Sequence, residues 1–135
     1  MKLIIVALLV TANINIAFAQ PSKAKANTQN FENIKVPPFT NNDVLVFFSS
    51  YRFSLREYLK AVRKNNKPAI KKQFDLNVQF GEETYDKLQI AQNVGPGEYQ
   101  AAQDFLMQLT PFIKEISRHP YVKELSLAYL KTHPQ

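Results

Sequence analysis

Residues 43–72 read DVLVFFSSYRFSLREYLKAVRKNNKPAIKK, and the spacing within this stretch decides the fold. Val44, Phe47, Phe48, Tyr51, Leu55, Tyr58, Leu59 and Val62 recur at the steps of three, four and one that one helix face requires. At the rotation of an α-helix they fall within an arc of roughly 120°. That is the apolar stripe of a core-facing helix. Arg52, Arg56, Lys60, Arg63 and Lys67 make a second stripe, centred roughly 120° round the same cylinder. Asp43 near the start and cations toward the far end both suit the helix dipole.

Charge is unevenly spread. The chain of 135 residues carries a formal +6. Arg52, Arg56, Lys60, Arg63, Lys64, Lys67, Lys71 and Lys72 face Glu57 alone between positions 52 and 72, a local +7. From Gln20 onward the remainder holds eight cations and ten carboxylates. A solvated helix face also reads as a stripe of cations, so the imbalance rather than the stripe points to a partner. Such a field attracts phosphate, lipid headgroups or acidic protein alike.

The first nineteen residues read as a secretory signal peptide. Lys2 is a minimal positive region, LIIVALLV an apolar core, and Ala17-Phe18-Ala19 a small-residue cleavage site. Thr11, Asn13 and Asn15 interrupt the apolar run and disfavour a membrane span. The chain has no cysteine, so a domain after Ala19 relies on packing rather than disulfides. It also lacks an Asn-x-Ser/Thr sequon, and both features fit a bacterial envelope protein. The expected location is the periplasm or the exterior.

Residues 20–40 read as a flexible tether, small and polar over PSKAKANTQN. Phe31, Ile34, Val36 and Phe39 are spaced to dock as an extended strip, and Pro37-Pro38 blocks a helix there. The helical domain is expected over 41–135, with Asn41 and Asn42 offering cap chemistry.

Asn65-Asn66 marks the end of the first helix, and Pro68 suits the first turn of a second. The segment 68–93 has two readings. Ile70, Phe74, Val78, Tyr85 and Leu88 share a helical face, whereas Phe74, Leu76, Val78 and Phe80 alternate as a strand would. A helix broken or kinked near Gly81 is the preferred expectation, and a short strand at 74–80 in an α+β fold is the alternative. Val94-Gly95-Pro96-Gly97 is a turn. Beyond it Tyr99, Ala102, Phe105, Leu106, Leu109, Phe112, Ile113 and Ile116 keep helical spacing through Pro111. One kinked helix or two nearly coaxial ones would satisfy that pattern. Tyr121, Val122, Leu125, Ala128 and Tyr129 mark a last short helix. The fold class is all-α, a small antiparallel bundle of three to five helices.

Catalytic patterns are missing. Gly95-Pro96-Gly97 lacks the lysine and strand of a phosphate loop, and no C-x-x-C-H is present. Glu115 and His119 form a single carboxylate–histidine pair, too few for a diiron bundle. His119 reads instead as a favourable charge at a helix end. Glu82 and Glu83 point apart on a helix, as first-turn charges do. No enzyme, metal or cofactor is therefore expected.

Leu109 and Thr110 resemble the opening of the Leu-Thr-x-x-Gln element of small periplasmic helical chaperones, which are also basic and free of disulfides. The glutamine position holds Ile113 and the element is not repeated, so the family is not assigned. The expected function is a non-enzymatic binding protein that sets its basic stripe against an anionic lipid, a cell-wall polymer or an acidic protein. Nucleic acid is disfavoured because no recognition motif accompanies the charges. The alternatives are a chaperone-like protein or a carrier of an apolar ligand among the nine phenylalanines after Gln20. Phe53 and Val46 lie off the main apolar face, so they are either covered by another helix or exposed beside the charges.

Overall fold

The computed structural model describes residues 30–134. The signal-peptide reading of 1–19 and the first part of the tether lie outside the described residues. Four helices follow a single 3₁₀ turn at Phe31–Asn33: α1 Asn42–Arg63, α2 Lys67–Val94, α3 Pro96–Ser117 and α4 Pro120–Thr132. No strand occurs among the described residues, and the all-α bundle stands. Short turns between successive helices force antiparallel neighbours. The α1–α2 hairpin is the most extensive contact, with α3 against both and α4 closing one side.

The expected stripe of α1 is its core. Val44, Phe47, Phe48, Tyr51, Leu55, Tyr58 and Leu59 are buried, and Val62 packs at their edge. Asn41 caps the helix through its side chain, which accepts the Val44 N–H at 3.1 Å. At the other end the Asn66 N–H reaches the Ala61 carbonyl and the Asn65 N–H the Val62 carbonyl, each at 3.0 Å. Asn65 adopts φ 53°, the left-handed conformation that this helix stop needs and that asparagine tolerates.

α2 runs unbroken from Lys67 to Val94, so neither the strand at 74–80 nor the break at Gly81 occurs. Ile70, Phe74, Asn77, Gly81, Thr84 and Ala91 are its buried residues, at helical spacing. The strand pattern misleads because Asn77 is buried yet polar. Its amide donates to Ser54 Oγ at 3.2 Å and to the Gln73 carbonyl at 2.9 Å, while Ser54 Oγ donates to Gln73 Oε1 at 2.9 Å. A buried asparagine satisfied in this way carries little penalty. One glycine in a helix costs only about 1 kcal/mol, which tertiary packing of a long helix overrides.

α3 is one helix through Pro111. The proline ring has no N–H for the Met107 carbonyl, and the neighbouring Thr110 hydroxyl donates to the Leu106 carbonyl at 3.0 Å. Gly95 separates α2 from α3 at φ 157°, a backbone shape that side-chain-bearing residues rarely adopt.

The docking strip is present. Phe31, Ile34 and Phe39 are buried, with Phe31 edge-on to Phe112 at 5.2 Å and Phe39 against Phe48 at 5.4 Å. The packed unit thus reaches back to Phe31, inside the stretch that composition assigns to a tether. Seven of the nine phenylalanines after Gln20 are buried in this core. Phe80 is half-buried and Phe53 is exposed. Among the described residues no helix is long and apolar enough to cross a membrane.

Candidate functional site: a basic pole

The stripe of cations does not survive as one surface. Lys67 opens α2 instead of extending α1, which ends at Arg63. Three arginines are spent on internal bonds. Arg52 Nε donates to the Ile34 carbonyl at 2.6 Å and Nη2 to the Phe31 carbonyl at 3.5 Å. Its guanidinium also lies 5.1 Å from the centre of the Phe31 ring. Arg56 Nε meets Glu32 at 2.6 Å, and that bond holds the Glu32 carboxyl below its usual range. Arg63 grips both oxygens of Glu115 at 2.8 and 3.0 Å, which raises the guanidinium pKa further. These three clasp distant parts of the chain to α1. Their partners, Glu32 and Glu115, lie outside the basic segment, where a local charge count cannot see them.

The remaining cations gather where α1 hands over to α2. Lys60 is 3.7 Å from Glu57 and Lys71 is hydrogen-bonded to Asp75 at 2.6 Å, both exposed pairs on their own helices. Lys64, Lys67 and Lys72 are exposed and form no ion pair among the described residues.

The α3–α4 turn is brought to the same end. His119 Nε2 lies 2.8 Å from Asn65 Oδ1, and Lys67 Nζ lies 5.4 Å from the centre of the Tyr121 ring. Arg118 and Lys123, both exposed, therefore join Lys64 and Lys67 at one pole. Sequence reasoning missed these two because they sit about fifty positions away as isolated charges. The His119-Pro120 turn was the available signal, since the third turn of an antiparallel bundle must return to the end of the first.

His119 itself belongs to this architecture. Its Nδ1 accepts the Tyr121 N–H at 3.1 Å, so it caps the start of α4 and does not serve the end of α3. With Nδ1 accepting, Nε2 carries the proton and donates to Asn65. Glu115 is held by Arg63. The carboxylate–histidine pair is thus engaged in packing, and no group of three metal-ligating side chains occurs among the described residues.

The helix dipoles sharpen the field at this pole. α2 begins here with Lys67, and neither α2 nor α4 has a carboxylate in its first turn. Lys67 therefore sits against the positive end of its own helix, an arrangement that costs roughly 0.3–1 kcal/mol unless an anion offsets it. The opposite end is acidic. Asp43, Glu83, Asp86 and Glu98 lie on the α1 start, the later part of α2 and the α3 start. Glu98 accepts the N–H groups of Thr40 at 3.1 Å and Asn41 at 3.1 Å. The molecule is thus polarised along its helices.

Comparison with known protein families, curated proteins and solved structures finds no match.

Proposed function

We propose that this is an exported, non-enzymatic binding protein whose basic pole docks on a polyanion. Lys64, Lys67, Lys72, Arg118 and Lys123 form the contact, with Lys60 and Lys71 at its margin. The carrying observation is that these five exposed cations, from two turns of the fold, have no ion-pair partner among the described residues. Arg52, Arg56 and Arg63 are withdrawn from the contact and hold the scaffold beneath it. Anionic lipid headgroups, a cell-wall polymer and an acidic protein share the chemistry that such a surface recognises. The burial of the phenylalanines in paired, interlocking rings favours this surface reading over carriage of an apolar ligand.

Vesicles of phosphatidylglycerol in phosphatidylcholine, with soluble polyglutamate in parallel, test the proposal and separate lipid from protein-like anions. The parent is expected to bind at least one at low salt and to release it as salt rises, because screening shortens the reach of exposed charges to about 8 Å at physiological strength. The combined variant Lys64→Gln, Lys67→Gln, Arg118→Gln should lose most of that binding while keeping its helical spectrum. Equal binding by parent and variant would reduce the pole to solvation. Export is tested separately by the intact mass of the protein from its host: a chain starting at Gln20 is expected, and a retained Met1–Ala19 segment contradicts it.

A further inference from the structure

We infer that the open face shared by α1 and α2 is a self-association surface that pairs two copies of this chain antiparallel. The face carries a knob beside a hole. Phe53 is 60 % exposed and Val46 55 %, both on the solvent side of α1. Next to them an open groove of about 410 Å³ is lined by Ser49, Ser50, Ser54, Gln73, Leu76 and Phe80, with Phe53 on its rim. The small serines keep α1 low where a neighbouring aromatic could seat. An isologous pair needs this property, since every contact must be made twice by the same patch.

The charges at the two ends of the face select the second copy as occupant. Asp43, Val46, Ser50, Phe53, Glu57 and Lys60 follow one row along α1, and Lys72, Leu76, Phe80 and Glu83 follow one along α2. Phe47 lies against Phe80 at 5.6 Å and Ser54 bonds Gln73, so the rows run in opposite directions side by side. Asp43 and Glu83 therefore mark one end of the face, with Lys87 a turn beyond Glu83 and beside Phe47. Lys60 and Lys72 mark the other, where Glu57 lies 3.7 Å from Lys60, and each end keeps a net charge opposite to the other. A two-fold axis through the middle sets the Lys60–Lys72 end of each copy against the Asp43–Glu83 end of its mate, with Phe53 entering the opposing groove. An anionic membrane would meet Asp43, Glu57 and Glu83 around the same patch, which opposes binding there. Lys60 and Lys72 are shared with the basic pole, but the pole is tested through Lys64, Lys67 and Arg118, which lie beyond the paired rows.

Sedimentation equilibrium of the purified protein across the micromolar range tests the inference. The parent is expected to dimerise. Phe53→Glu should weaken the dimer roughly tenfold or more, as loss of an anchoring aromatic does, without loss of helical signal at so exposed a position. Lys72→Glu should weaken it as well, and adding Glu83→Lys to that variant should restore it. The Lys64→Gln, Lys67→Gln, Arg118→Gln variant should dimerise like the parent, so failure of the pole and failure of this face are read apart. A parent that stays monomeric, a Phe53→Glu protein that dimerises unchanged, or a double charge reversal that restores nothing overturns the inference. So does a monomeric parent whose partition onto phosphatidylglycerol vesicles falls with Phe53→Glu, which would give the face to lipid.

Discussion

Arg52 illustrates how a residue can belong to a charged stripe and still not be available to a partner. Its side chain is only 19 % exposed, and its donors end on the carbonyls of Ile34 and Phe31. Removing it leaves those acceptors without their partner in a partly buried setting, a loss of about 1–3 kcal/mol. Arg52→Met should therefore lower stability to urea by that amount, whereas Lys64→Gln should stay within about 0.5 kcal/mol of the parent. Equal effects of the two substitutions would show that the strip 31–39 gains nothing from the clasp. The sequence makes these two cations look alike, because both are basic residues on a helix. What separates them is a backbone segment that docks from outside the helix, and its carbonyls carry no sequence signal.

At the scale of elements, periodicity was legible wherever one face was uniformly apolar. Most of the expected faces of α1 and α3 is buried, through Pro111 in α3, but Val62, Tyr99, Leu106 and Ile113 are only half-buried. Ser54, Ala61 and Thr110 join the core from outside the expected apolar faces. α2 was read less well because its buried face includes Asn77, Gly81 and Thr84, so polarity ceased to report burial. α4 is peripheral: only Val122 and Ser126 are buried, and Leu127 is 64 % exposed. The joint between α1 and α3 was also hidden, since it runs through Glu98. Partial desolvation acts to raise that carboxyl, but the N–H groups of Asn41 and Thr40 outweigh it and hold it below the usual range. A group depressed in the folded state stabilises above its unfolded pKa, and that contribution is lost as pH falls through the lowered value. Glu98→Gln should consequently be less stable than the parent near neutrality, and the gap between them should close under acid. A gap in thermal midpoint that persists unchanged at low pH would mean that the ionised carboxylate contributes nothing to the joint.

For the whole molecule, composition announced an excess of positive charge but not which part of it stays unpaired. That part lies across two turns at one pole, and it excludes the arginines that make the sequence pattern most conspicuous. Long-range ion pairs decided which cations remain free, and only a folded chain reveals those. The most direct measurement of the pole is an amide chemical-shift titration of the isotope-labelled protein with short-chain polyphosphate at low salt. Binding at the pole predicts shifts confined to residues 64–72 and 118–123, fading as salt is added. Shifts that instead follow Arg52, Arg56 and the strip 31–39, or no shifts at all, would contradict it.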